Sequence, residues 1–199
     1  VLLKSYTYYA DNTQITFGLP RQTIEYIDQT DLNRKRVTEY LYETGTINLQ
    51  QLTVSGATSG GSIIKTFTYN DLGQVKTETL KRRTSATDST LKNLTTTYTY
   101  DDLGRVIKVE NPIGDIAETG YDANGKVTAE KVHYKTTEPQ ARCNGPDNGY
   151  VTCTYTQNTY DAADRLKTVT DILGNTTRYE YDENGNVTGT KVVFEIPLS

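Results

Sequence analysis

The chain has 199 residues, 35% of them hydrophobic, with a net charge of −4, 16 Tyr, 3 Phe and no Trp. A negative balance, with a pI near 5.1, excludes generic binding to nucleic acid, where affinity comes from Lys and Arg displacing counterions from phosphates. No apolar run approaches the roughly 20 residues that span a bilayer, and no succession of charged, apolar and small residues marks a signal peptide. The start at Val1 and the lack of Met suit a processed piece or an expressed fragment. The length fits one domain or two small ones and allows a core, but a mean hydropathy of −0.63 is thin for a compact sandwich. Tyr and Thr suit a pleated surface that is half wet, since each pairs an apolar body with a polar tip, so a broad single-layer sheet is the expected host.

Residues 1–62 read as degenerate β repeats, the N-terminal part of one sheet with the rest. The alternation in VLLKSYTYYADNTQITF suits a strand pair around Asn12, and RQTIEYI and RVTEYLY suit further strands. Thr38, Tyr40 and Tyr42 lead into Tyr42, Glu43, Thr44 and Gly45, a decayed form of a motif that recurs downstream. A helix over EYIDQTDLNRKRVTEYLY is the competing reading, although Ile24, Ile27 and Leu32 make a poor helical stripe. SGATSGGS, residues 55–62, is loop by composition.

Residues 63–199 are regular. One grammar recurs: Tyr-Asp, two variable residues, Gly, a polar residue, then a β-branched run. It appears as YNDLGQV (Tyr69, Gly73), YDDLGRV (Tyr100, Asp101, Gly104, Arg105), YDANGKV (Tyr121, Asp122, Gly125), YDAADRL (Tyr160, Asp161, Arg165) and YDENGNV (Tyr181, Asp182, Gly185), with Asp164 replacing Gly in the fourth copy. The starts lie 31, 21, 39 and 21 residues apart, so the basic period is about 21 and longer gaps carry inserts. Residues 100–130 and 160–190 match at a constant offset of 60. IIKTFTY and LTTTYTY alternate with the period of a strand, and Asp-x-x-Gly supplies a turn, since Gly takes positive φ freely and Asp or Asn bonds nearby amides. GRVIKVE, GKVTAEKVHY and GNVTGTKVVF are the return strands, so each copy predicts a hairpin built on a four-residue loop. Further turns are expected at Asn111–Asp115 and Asp171–Asn175.

Two inserts interrupt the array, at 81–93 and 136–153. The first, KRRTSATDSTLKN, is a polar hairpin tip or loop; Lys81, Arg82 and Arg83 read as solvated rather than as a docking patch. The second holds Cys143 and Cys153 on either side of NGPDNG, strong turn chemistry that lets them face each other. A disulfide would contribute on the order of 2 to 3 kcal/mol and imply an oxidising compartment; two free thiols are the alternative.

GNTTRYEYDENGNV, Gly174–Val187, and YTYDDLGRV, Tyr98–Val106, resemble the YD repeat of the Rhs family, whose motif runs Gly, several residues, Arg-Tyr-x-Tyr-Asp, two residues, Gly-Arg-Leu. The resemblance covers residues 63–193 well and the first 60 loosely. It implies an all-β fold of consecutive antiparallel β-hairpins from ~21-residue YD repeats forming a curved sheet, a segment of an Rhs-type shell. In that family, which includes insecticidal toxin complex subunits, polymorphic toxins and teneurins, such repeats close around a C-terminal toxin domain. The implied role is non-catalytic, with the remaining repeats and an effector domain of a larger exported protein as partners, and a secreted or cell-surface location. Exposed edge strands would allow edge-to-edge self-association. The alternative is a carbohydrate- or cell-surface-binding module using tyrosine-rich sheet faces. NPIGD, Asn111–Asp115, has Asn where the family's self-cleaving element has Asp and lies within the repeats, so no cleavage is assigned to it.

Catalytic readings are outweighed by bland ones. Asp101, Asp122, Asp161 and Asp182 hold one position in each hairpin turn, so turn capping explains them together, whereas glycoside hydrolysis needs two carboxylates converging in a cleft. The stretch from Asp182 opens like a calcium loop but has Val187 and Val193 where an EF-hand needs Gly and Glu. His133, the one histidine, reads as a surface strand residue with no nucleophile motif beside it; with Cys143 and Cys153 it lacks the spacing of a metal site. No cofactor is expected. Asn93, Asn175 and Asn186 open glycosylation sequons, relevant in a eukaryotic source.

Overall fold

The computed structural model describes residues 3–10, 16, 18–27, 31, 33–56, 62–82, 92–136, 143–147 and 149–194. These divide into two units, 1–97 and 98–199, in each of which antiparallel strands lie side by side in chain order. The first unit holds β1 (Leu3–Tyr8), β2 (Pro20–Tyr26), β3 (Lys35–Tyr42), β4 (Leu49–Ser55), β5 (Ile63–Tyr69) and β6 (Val75–Arg82), with β7 (Lys92–Tyr100) pairing β6 through Thr97. The second holds β8 (Val106–Glu110), β9 (Ile116–Tyr121), β10 (Val127–Tyr134), β11 (Asn144–Asp147), β12 (Tyr150–Tyr160), β13 (Leu166–Asp171), β14 (Thr176–Tyr181) and β15 (Val187–Val193). Strand β12 pairs with β10 and β13, while β11 pairs only with β12 as a short side hairpin. The fold is all-β, as the resemblance implies.

The competing helix over residues 25–42 is overturned: β2 ends at Tyr26 and β3 begins at Lys35, with Tyr26 opposite Lys35. Alternating Thr, Val and Tyr fit a pleated ladder better than a helical stripe. The partner of β1 is β2, with Leu3 opposite Tyr26, rather than the QITF stretch; Asn12 lies outside the described residues, and Thr16 sits in a turn. Strands also reach into both expected inserts. Lys81 and Arg82 close β6 instead of floating in a loop, and β7 opens at Lys92, while residues 83–91, 137–142 and most of the Ser55–Ser62 loop lie outside the described residues.

Little of this sheet is buried. Among the described residues the fully buried apolar side chains are Val151 and Cys153, both on β12 where β11 and β10 flank it. Cys153 is disulfide-bonded to Cys143, with Cα atoms 4.5 Å apart. Elsewhere the strands are held by their ladders and by cross-strand pairs. Threonine hydroxyls meet in directly opposed pairs, Thr79 with Thr95 at 2.9 Å and Thr159 with Thr168 at 2.6 Å, each a polar contact that a half-wet face can keep.

Candidate functional site: a rim of capped turns

Seven turns share one geometry. In the turn from Asp101, the Gly104 amide donates to the Asp101 carbonyl at 2.9 Å and the Asp101 amide donates to the Arg105 carbonyl at 3.0 Å. The same pair of bonds closes the turns at Asn70, Asn111, Asp122, Asp161, Asp171 and Asp182. The loop is therefore three residues between a bonded pair, a tighter connection than the four-residue loop expected. It requires a left-handed fourth residue. Gly73, Gly104, Gly114, Gly125, Gly174 and Gly185 have φ between 77° and 94°, and Asp164 adopts φ 59° in the same place.

The first side chain of each turn caps it. Asp101 Oδ1 accepts from the Leu103 and Arg105 amides at 3.0 and 2.9 Å, and Asp161 and Asp182 repeat this at 2.8 to 3.0 Å. The fifth residue then complements the first. In the turns from Asp101, Asp161, Asp171 and Asp182, the second oxygen of the first residue accepts from Arg105 Nε (2.7 Å), Arg165 Nε (2.8 Å), Asn175 Nδ2 (3.0 Å) and Asn186 Nδ2 (2.9 Å) respectively. Where the first is Asn, its amide donates to an acceptor, Gln74 or Asp115. These bonds hold Asp101 and Asp161 below the usual carboxylate pKa, chiefly through the fifth residue's backbone amide, and Asp182 chiefly through the Asn186 side chain. Asp101, Asp161, Asp171 and Asp182 thus each engage both carboxylate oxygens within their own loop.

Because the strands alternate in direction, the turns at 101, 122, 161 and 182 share one rim of the second unit, and those at 111 and 171 share the other. Tyrosine precedes only the first set. A bulge sits opposite it: Glu180 faces Gly189 but Tyr181 faces Val187, and Tyr160 faces Leu166 likewise. The tyrosine hydroxyls latch successive hairpins together by donating to the carbonyl that begins the previous hairpin's return strand. Tyr69 reaches Leu49 at 2.8 Å, Tyr121 reaches Val106 at 3.2 Å, Tyr160 reaches Val127 at 2.9 Å and Tyr181 reaches Leu166 at 2.8 Å. Arginine adds a second latch. Arg105 Nη1 donates to the Asp122 carbonyl at 3.3 Å with its guanidinium 4.5 Å from the Tyr121 ring centre, and Arg165 repeats this with Asp182 at 3.1 Å and Tyr181 at 4.6 Å, a cation–π geometry.

These inter-hairpin bonds were not anticipated from the sequence, although the pairing of Asp with Arg or Asn, and of Asn with Gln or Asp, was readable in it. Also unforeseen is the bond from Asn124 Nδ2 to Asp164 Oδ1 at 2.7 Å, which joins turns 40 residues apart and gives the unusual Asp164 a role that Gly could not fill. His133 is more than a surface residue: its Nδ1 is 2.7 Å from Thr152 Oγ1 and its Nε2 is 3.0 Å from Glu118 Oε2. The order is that of a hydroxyl, base and carboxylate, but Thr152 lies mid-strand between His133 on β10 and Asn144 on β11. Its backbone is committed to ladders on both sides, so the surrounding amides are poorly placed to serve an oxyanion. The triplet reads as a brace across three strands.

Two open grooves lie on the sheet faces, about 470 Å³ beside Gln22 and Glu39 in the first unit and about 330 Å³ beside Glu118 and Lys131 in the second. Each holds a single carboxylate. Among the described residues no cluster of three or more His, Cys, Asp or Glu could hold a metal ion. The amides of the sequon residues Asn175 and Asn186 are engaged by Asp171 and Asp182, and Asn111–Asp115 is an ordinary capped turn.

A row of antiparallel hairpins, in which one capped turn recurs seven times and four tyrosine hydroxyls reach the hairpin before, defines a β-hairpin repeat protein. Residues 160–192 match the family model described as RHS Repeat, a span that runs from Tyr160 through the turns at 161, 171 and 182. That stretch is thus similar to an RHS repeat. No curated protein matches it. Among solved structures it is similar to TcdB2-TccC3-TEV, at 14% identity and TM-score 0.47 over 95% of this chain and 10% of that one. It is similar also to TcdB2-TccC3, at 13% identity and TM-score 0.45 over 96% and 13%, and to the Photorhabdus luminescens Tc holotoxin pore, at 14% and 0.43 over 95% and 12%. The chain spans about a tenth of the length of those chains.

Proposed function

We propose that this chain is a non-catalytic wall segment of a larger, exported Rhs-type protein, and that the wall encloses a toxin or effector domain. The observation that carries the reading is the latch. The bond from Tyr121 to Val106 is repeated 60 residues on from Tyr181 to Leu166, so the recurring grammar of the sequence is spent on joining one hairpin to the next. A wall needs this, because a sheet in which Val151 and Cys153 are the fully buried apolar side chains among the described residues must draw cohesion from its ladders and side-chain bonds. The wall acts by sequestration: paired strands leave no opening between hairpins, and the enclosed domain is kept from its target. The Cys143–Cys153 disulfide supports an oxidising location outside the cytosol.

The tyrosine arrangement favours a wall over a glycan platform, since Tyr69, Tyr121, Tyr160 and Tyr181 point their hydroxyls at backbone carbonyls. Small-angle scattering combined with light scattering and circular dichroism tests the reading. A strand-rich, extended or self-associating particle is expected. A compact helical monomer would overturn it and return binding or catalysis by a closed domain to first place.

A further inference from the structure

Strand β12 is covered unequally along its two sides. On one side β10 runs beside it from Gln157, opposite Ala129, to Val151, opposite Tyr134. On the other side β13 reaches only from Tyr160 to Thr156. Beyond that point the second side meets β11, which pairs with no other described strand. Strand β11 is a poor cover by its own means. It has four residues and two register pairs with β12, Asn144 with Thr152 and Asp147 with Tyr150, with a register shift between them. Pro146, within it, has no amide to give to a ladder, and so short a ribbon is marginal in water. The disulfide supplies what the ladder lacks. Cys143 continues the pairing opposite Cys153 with Cα atoms 4.5 Å apart, the spacing of directly opposed residues in an antiparallel pair that exchanges no hydrogen bond.

We propose that the Cys143–Cys153 disulfide is a redox-sensitive clasp: a dithiol reductant opens it, β11 leaves, and the edge of β12 from Tyr150 to Thr154 is uncovered. The exchange is a two-electron step. A thiolate of the reductant attacks the sulfur of Cys143, which is half-buried where Cys153 is 2% exposed. The disulfide bond breaks, a mixed disulfide forms, and Cys153 leaves as a thiolate that takes up a proton. The reductant's second thiol then displaces Cys143, which leaves as a thiol, and the reductant ends as its own disulfide. The opening stays local, because bonds that do not involve the cysteines hold β12 to β10. His133 Nδ1 lies 2.7 Å from Thr152 Oγ1, and the Tyr134 and Tyr155 hydroxyls bond each other. An uncovered edge of backbone donors and acceptors templates pairing with an added strand. The clasp goes beyond the wall reading, and its use rests on it: a wall closed in oxidising surroundings gains a pairing edge on entering reducing ones.

Amide hydrogen exchange resolved by nuclear magnetic resonance, with and without dithiothreitol under native conditions, tests this, and a thiol count follows the reduction. Both cysteines should become titratable thiols without denaturant. The amides of Asn144, Gly145 and Asp147, and those of β12 that face β11, should then exchange faster by about tenfold or more, while those joining β9 to β10 and the circular dichroism stay unchanged. The double variant Cys143→Ala with Cys153→Val keeps the buried position apolar and should exchange fast with or without reductant. A disulfide that yields only in denaturant, protection that survives reduction or the double substitution, or loss of the strand signal on reduction overturns the clasp. None of these outcomes touches the wall reading, which scattering decides.

Discussion

Tyr181 explains why the repeat spells tyrosine where phenylalanine would pack as well. Its ring lies under Arg165, and its hydroxyl donates to Leu166 at 2.8 Å. Tyr181→Phe keeps the ring and leaves a backbone carbonyl without its donor, so it should cost about 1 kcal/mol, or roughly 2 to 4 °C in Tm for a chain of this size. Tyr6→Phe, at an exposed position on β1, should leave the melt unchanged, and thermal melts of the two variants side by side check the contrast. The turn aspartates set the acid limit. Asp101, Asp161 and Asp182 have folded pKa values below the ordinary 3.8, so their contribution is complete above that value and is lost as pH falls through the lower folded one. Melting temperature should hold level above about pH 5 and drop below about pH 4, with a shallower drop in Asp161→Asn. At this scale much was legible: Asp as turn cap follows from its short acceptor side chain. The hydroxyl's target was not, because a carbonyl acceptor leaves no mark on residue identity, and Leu49, Val106, Val127 and Leu166 accept through backbone alone.

At the scale of the hairpin, the informative element is the turn from Asp161 to Arg165. Asp164 holds φ 59° where its equivalents are glycine, and it accepts from Asn124 at 2.7 Å. Asp164→Ala keeps the left-handed strain and loses the bond, whereas Asp164→Gly loses the bond but relieves the strain. The glycine variant should therefore be more stable than the alanine variant by about 1 kcal/mol, which denaturant unfolding of both will measure. The substitution of Gly by Asp was visible in the sequence, but its partner 40 residues away was not, since nothing local connects the turns at 122 and 161. Strands β5, β8 and β10 fall where alternation puts them. The first hairpin was misplaced because Pro20 and Gly18 set its return strand, later than the apolar pattern of QITF suggests.

At the scale of the molecule, stability should be built from neighbouring hairpins in series, since among the described residues only Val151 and Cys153 are fully buried apolar side chains. Removing residues 172–199, and with them β14 and β15, should leave 1–171 folded with the same strand signal per residue and a modestly lower Tm. Complete loss of the circular dichroism signal in that truncation would contradict the additive picture. From residue 63 on, the sequence by itself determined the YD hairpins and the placement of their turns, because these depend on local rules: a period of two, Gly or Asp at positive φ, and Asp or Asn beside free amides. Only the tertiary structure decided what the tyrosines and arginines are for. Their partners are carbonyls in other hairpins, brought within reach by strand pairing and by bulges, and a backbone acceptor is the same atom in every residue type.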